Sequence, residues 1–308
     1  MNRLTMILLL AGWGLAFSNH PQKTSAAECV QADHLQFKEI STRQFDLTRS
    51  AATTIVGVYN LNGPIHIEGY AGSKVIVEAD KIITARFSTG LETGKREVQL
   101  AFAQSGDSVL SYLAKPYDLR PHNSTRHHHY DYDHDDQERD PKLNYNFRIA
   151  YVLKVPYDVN VSASTINDGD IRVANVSGTL KINNVNGGIT LTHAKGATEA
   201  HTINGDLLAD YLSVPPASSS YYALNGTLKV SYPANLSANI RLKSMNGEFF
   251  TDFPNAEALP DVVEKTRSSS GSATIFKLKK QTELRIGSGG KLFSMETLNG
   301  NIYIKKNP

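Results

Sequence analysis

The 308-residue chain holds a single cysteine, Cys29, so no internal disulfide can hold its fold. Glu28 stands directly before it, where a lipid anchor needs a small residue, so the thiol is free or pairs with another chain. After Phe17 the sequence has no apolar run approaching the roughly twenty residues of a membrane span. It also lacks a charge imbalance. The formal net charge is +2, and two of the basic residues, Arg3 and Lys23, lie in the leader described below. A near-neutral chain with scattered charges carries no footprint for nucleic acid. Gly-x-Ser-x-Gly, His-Glu-x-x-His and phosphate-loop motifs are all missing. Acidic residues on the repeats are sparse, chiefly Asp168, Asp170, Glu199, Asp206 and Asp210. A glycan-cleaving mechanism needs carboxylates gathered from neighbouring strands, so the chain reads as non-enzymatic.

The first residues, "MNRLTMILLLAGWGLAF", join one positive charge to an unbroken apolar run. Ser25 and Ala27 are small residues at −3 and −1 of a cleavage point before Glu28. Residues 1–27 therefore read as a secretory signal peptide. The mature chain, 28–308, is expected to be exported, to the periplasm, the cell surface or the medium.

What the sequence has in abundance is one phrase. A polar and an apolar residue precede Asn-Gly, and alternating apolar positions follow. It reads "NLNGPIHI" at 60–67, "NVNGGITL" at 184–191, "TINGDLLA" at 202–209 and "ALNGTLKV" at 223–230. It returns as "SMNGEFFT" at 244–251 and "TLNGNIYI" at 297–304. "TINDGDIRV" at 165–173 carries one extra residue. Plain glycines, Gly178 and Gly196, fall midway between Asn-Gly copies. Alternation predicts strands with one buried face, and glycine and asparagine suit tight corners with positive φ.

Asn-Gly is also a strong hairpin signal, which leaves an antiparallel β-meander or sandwich as the alternative. Regular spacing favours an all-β, single-stranded β-solenoid or β-roll with coils of 18 to 21 residues, each corner stacked on the one below. The spacing relaxes beside Pro215–Pro216 and Pro233, where a bend can bulge outward. This reading predicts about a dozen coils, with Asn186, Asn204, Asn225 and Asn246 stacked as a ladder of amides. Residues 35–60 and 300–308 are the expected end caps. Residues 251–273 leave the beat as an irregular excursion, and "NAEALPDVVEKT" within it predicts a short helix before a Ser/Gly linker.

Three stretches carry a resemblance. "YNLNGPIHIEGYAGSKVIVEADK", "YVLKVPYDVNVSASTINDGDIRVANVSGTLKI" and "RIGSGGKLFSMETLNGNIYIKK" resemble a bacterial family of exported proteins, a domain of unknown function labelled putative adhesin. The shared features are the Val155-Pro156 entry, the repeated Gly-x-Ile-x-Val strands and the ending from Gly287 to Ile302. The resemblance spans most of residues 45–308. It implies a β-solenoid at the cell envelope or outside the cell, and transfers no site residues.

The insert 117–141 breaks the pattern. His127, His129 and His134 lie among Asp131 and Asp133, a donor set suited to zinc, nickel or copper. No apolar framework or fixed ligand spacing accompanies them, so a solvated loop is the plainer reading. His193 and His201 are expected on the outer, wet side of strands. The sequence thus predicts an exported binding or structural protein of the cell envelope, whose partner is a protein or glycan. A metal-binding protein using the insert is the alternative.

Overall fold

A computed structural model describes residues 34–121, 142, 144–260, 262–270 and 273–307, by backbone alone over 262–270 and 273–281. The predicted signal peptide lies outside the described residues. His34–Pro308 form one compact unit, and the architecture is all-β with two large sheets.

The N-terminal third comprises β1 (Leu35–Asp46), a 3-10 turn at Ala51–Thr53, β2 (Ile55–Tyr59), β3 (Ile65–Tyr70) and β4 (Lys74–Ala85). Then come α1 (Ser88–Glu97), β5 (Leu100–Ser105), β6 (Ser108–Leu113) and β7 (Tyr145–Pro156). The repeats follow as β8 (Asn160–Thr165), β9 (Ile171–Ala174), β10 (Leu180–Asn186), β11 (Ile189–Ala194), β12 (Thr198–Asn204), β13 (Leu207–Tyr211), β14 (Ser219–Asn225) and β15 (Leu228–Tyr232). Last are β16 (Ala238–Asn246), β17 (Phe249–Thr251), β18 (Ala256–Ala258), β19 (Val262–Ser270), β20 (Ala273–Ile286), β21 (Leu292–Asn299) and β22 (Ile302–Lys306).

Through the repeats, consecutive strands never pair with each other. Even-numbered strands β8 to β16 go to one sheet and odd-numbered β9 to β17 to the other. The first sheet runs β1-β4-β7-β3-β9-β11-β13-β15-β22-β17, and the second runs β18-β20-β16-β21-β14-β12-β10-β8-β2-β6-β5. An Asn-Gly corner therefore carries the chain from one sheet to the other rather than closing a hairpin. Pairing across the repeats is parallel, as in Leu180↔Thr198 and Ile189↔Leu207. Both sheets are mixed, because β1, β4 and β7 pair antiparallel, as do β5 with β6 and β16 with β20.

The core lies between the sheets, where alternation places Ile182, Leu191, Ala200, Ala209, Val230 and Ile304 out of water. Toward one side the filling turns aromatic. Tyr232 stacks between Tyr211 and Phe293 with ring centroids 5.3 and 5.4 Å away. The buried hydroxyls form a chain: Tyr232 donates to Tyr221, Tyr221 to Tyr211 at 2.7 Å, and Tyr211 to Thr198 Oγ1 at 2.6 Å. Burial raises the titration of all three tyrosines well above the ordinary value.

The corner row is longer than the four asparagines expected and is differently ordered. Side-chain amides run Asn62, Asn167, Asn186, Asn204, Asn225, Asn299, Asn246, each Nδ2 donating to the preceding Oδ1 at 2.7–3.2 Å. Asn299 separates Asn225 from Asn246 because β21 and β22 slot between two coils that are consecutive in the chain. Residues 300–308 are therefore no end cap: β22 pairs with both β15 and β17. Of residues 35–60, β1 does form an edge of the first sheet, while β2 is interior to the second. Among the described residues the alternating strand pairs number seven rather than about a dozen.

Glycine at these corners is required by space more than by φ. A Cβ on Gly205 would lie 2.3 Å from the Gly187 carbonyl oxygen, and one on Gly226 2.0 Å from that of Gly205. Inside the corner, Thr165, Thr202 and Thr297 donate their hydroxyls to glycine carbonyls of the adjacent coil. That accounts for the threonine opening three of the phrases, since a buried carbonyl must be paired.

The expected helix in 251–273 does not form. This stretch supplies β18 and β19, and β19 pairs antiparallel with β20 in register from Val262↔Gln281 to Ser270↔Ala273. The Ser/Gly stretch thus joins two strands rather than following a helix. The one α-helix among the described residues, α1, follows β4 and buries Gly90, Thr93 and Gly94.

Candidate functional site

The expected metal residues His127, His129, His134, Asp131 and Asp133 lie outside the described residues. Among the described residues, no group of three or more His, Cys, Asp or Glu side chains could hold a metal ion. The feet of the insert are placed, however. The Tyr117 and Tyr145 hydroxyls are 2.6 Å apart, Tyr145 donates to Glu97 Oε2 at 2.6 Å, and the Tyr117 and Phe147 rings pack at 5.0 Å. Arg120 lies over the Tyr112 ring at 3.7 Å, which carries the start of the insert onto the outer face of the second sheet.

Two of the corner acids, Asp170 and Asp206, are committed to the backbone. Asp170 Oδ1 accepts from the Gly188 N–H at 2.9 Å, and Asp206 Oδ1 from the Thr227 N–H at 2.8 Å. Each stitches one coil to the next. His193 and His201 both face outward, but on different sheets. His193, at φ 54°, is 3.1 Å from Asn175 Oδ1 and 3.9 Å from Asp210 Oδ2. His201 meets the Tyr222 ring edge-on at 6.0 Å.

Outer side chains fall into rows, because parallel pairing keeps the same register from coil to coil. On the second sheet Ser162, Lys181, Glu199, Ser220, Ser294 and Arg241 stand side by side. On the first sheet Glu68, Asn175, His193 and Asp210 form a polar line that lies off the strand register, at the shift in β11, with Asn175 Nδ2 donating to Glu68 at 2.6 Å.

One place breaks the flatness. β7 is twice the length of β3 and continues past the Asn60–Gly63 corner instead of turning with it. The Ile149 N–H donates to the Asn62 carbonyl at 2.8 Å, and the buried Asn60 amide donates to the Ile149 carbonyl at 2.8 Å. This clamp sets Arg148 beside the corner, with its side chain exposed. On the other flank, the corner between β8 and β9 holds the extra residue seen in "TINDGDIRV". Asp168 takes it up at φ 57°, a left-handed conformation that aspartate tolerates. Between the flanks, Pro64 and His66 floor a cleft of about 500 Å³.

Arg172 closes the cleft beside His66, its direct neighbour in register, and sits 3.4 Å from Asp170. Arg148, His66 and Asp168 have no hydrogen bond or ion pair among the described residues. The composition of the cleft was not legible in the sequence, since Arg148 is separated from Asp168 by nineteen intervening residues. The one signal was the extra residue at 165–173.

Parallel strand pairs stacked by asparagine–glycine corners define a class of repetitive two-sheet β proteins. Residues 157–289 match the family model Toastrack DUF4097, a domain of unknown function. The match covers the middle of the stretch on which the resemblance was expected. No curated protein matches the chain. Among solved structures, a putative cell adhesion protein from Clostridium sporogenes ATCC 15579 is similar at 10% identity and a TM-score of 0.42, covering 88% of this chain and 100% of that one. A putative adhesin from Bacteroides fragilis NCTC 9343 is similar at 8% identity and a TM-score of 0.32, covering 87% and 97%. No helix among the described residues is long and apolar enough to cross a membrane.

Proposed function

We propose that this protein is an exported, non-enzymatic, adhesin-like β-solenoid that binds a glycan or protein of the cell envelope through its outer sheet faces. The observation that carries the reading is the in-register row of polar side chains on the second sheet, Ser162, Lys181, Glu199, Ser220, Ser294 and Arg241. A chain extended along such a row meets equivalent groups at a repeat of about 4.8 Å, which suits multivalent contact. The stretch 1–27 supports export. Engagement of Asp170 and Asp206 in corner hydrogen bonds supports binding over catalysis, because these acids already serve the backbone. The test is to screen mature Glu28–Pro308 against envelope polysaccharides and extracts, measuring binding and product release together. Saturable binding without cleavage is expected, and turnover of any bound polysaccharide would overturn the reading.

A second reading has its own observation. The clamp of Tyr117 on Tyr145 closes the base of the His/Asp-rich insert, which lowers the entropy lost if zinc, nickel or copper gathers its side chains. On this reading those metals bind the mature protein at micromolar or better affinity, and replacing 122–141 with a short Gly/Ser linker abolishes binding. Titration calorimetry of both versions measures it.

A further inference from the structure

We infer that the cleft between Arg148 and Asp168 is a subsite for an acidic sugar, a uronic-acid residue of a polysaccharide. The inference rests on the binding-protein reading above and names its ligand class. Three features point to this chemistry. First, guanidinium groups stand on two sides of the cleft, Arg148 from β7 and Arg172 from β9, and a planar carboxylate is the partner that the guanidinium fork matches. Arg172 is shared with Asp170, but that pair is 3.4 Å apart with both side chains about half exposed, so it is weak and open to exchange.

Second, Asp168 offers acceptor oxygens to sugar hydroxyls. It is held at φ 57° by its neighbours: the Gly63 N–H donates to the Asn167 carbonyl at 2.8 Å and the Ile65 N–H to the Asp170 carbonyl at 3.0 Å. Third, the floor of Pro64 and the exposed His66 ring is a surface on which a pyranose can lie. The volume falls within the usual range for small-ligand sites.

The acids also discriminate among anions. Asp168 and Asp170 beside the two arginines disfavour a doubly charged phosphate, yet accept hydroxyl donors from a singly charged sugar acid. The cleft opens onto the outer face of the first sheet, so a longer chain leaving it can follow the polar line there.

Calorimetry of mature protein with an oligogalacturonate, a neutral galactose oligomer of similar length and a phosphorylated oligosaccharide tests the assignment. The uronate oligomer is expected to bind about tenfold or more tighter than the other two, and more weakly as salt rises. Arg148→Ala should lose about tenfold in uronate affinity, with Arg148→Lys between it and the parent. Thermal melts of both variants should match the parent, because Arg148 is exposed and unpartnered. Equal affinity for the neutral oligomer, tighter binding of the phosphorylated one, or unchanged uronate affinity in Arg148→Ala would each overturn the inference. If the screen finds a different ligand whose binding ignores Arg148→Ala, the uronate subsite falls while the binding-protein reading stands.

Discussion

Each coil turns twice, and the two corners obey different rules. At the Asn-Gly corner the connection settles to one length: five residues join β2 to β3 and β8 to β9, and from there two residues join β10 to β11, β12 to β13, β14 to β15, β16 to β17 and β21 to β22. At the opposite corner the connection ranges from three residues between β11 and β12 to seven between β13 and β14. The strict corner is where backbone meets backbone, with glycine on glycine and amide on amide. The opposite corner shares that constraint where Gly196 stacks on Gly178 and Gly178 on Val159, a Cβ on each lying 1.8 and 2.2 Å from the carbonyl oxygen below. Beyond it the chain bulges outward, with Leu212, Ser213, Pro216, Ala217, Ala234 and Asn235 exposed. Stacking dictates residue type and spacing, and where stacking ends both are free.

The comparison breaks most sharply at glycine. Gly205→Ala should destabilise by about 3 kcal/mol, because the new methyl can be housed only by moving backbone. A one-residue insertion within 212–218 should change stability by less than about 0.5 kcal/mol. Denaturant unfolding of the two variants measures both. Next comes the tyrosine chain beside the loose corner. Tyr211, Tyr221 and Tyr232 titrate higher folded than unfolded, so their contribution is complete below about pH 10 and is lost as pH rises beyond it. Tyr221→Phe should cost about 1–2 kcal/mol at neutral pH, by removing two hydrogen bonds of the hydroxyl chain, and should soften the alkaline loss. Melting curves from pH 7 to 11 measure this.

The smallest effects sharpen the asparagine row. Asn204→Ala removes two amide bonds and should cost about 1 kcal/mol, while Asn246→Ala, at the end of the row, removes one and should cost about half as much. Equal costs would show that the row is not additive along its length. Replacing 122–141 with a short linker should leave the melting temperature within about 2 °C of the parent, because the insert is closed by Tyr117 and Tyr145 outside the repeats.

How much of this could be read beforehand follows from the same physics. The phrases "NVNGGITL" and "TINGDLLA" announced strands, corners and a buried face because alternation and corner glycines are local properties. The amide row was legible from spacing alone for Asn186, Asn204 and Asn225. Placement of Asn299 was not: every coil presents the same edge to its neighbours, so any coil can stack on any other. The helix expected at 255–266 failed because pairing with β20 outweighed a weak local preference. Arg148, His66 and Asp168 gave no joint signal, since a cleft assembled from three strands has no sequence spacing of its own.

By itself, then, the sequence determined the all-β class, the beat of the coils and the chemistry of their strict corner, since these rest on contacts that recur at constant separation. Only the tertiary structure decided which coil lies on which, where the C-terminal strands insert, and that β7 overruns a corner to set two arginines and an aspartate around one cleft. Those outcomes depend on meetings between residues far apart in the chain, whose energy is realised only once the sheets have closed on each other.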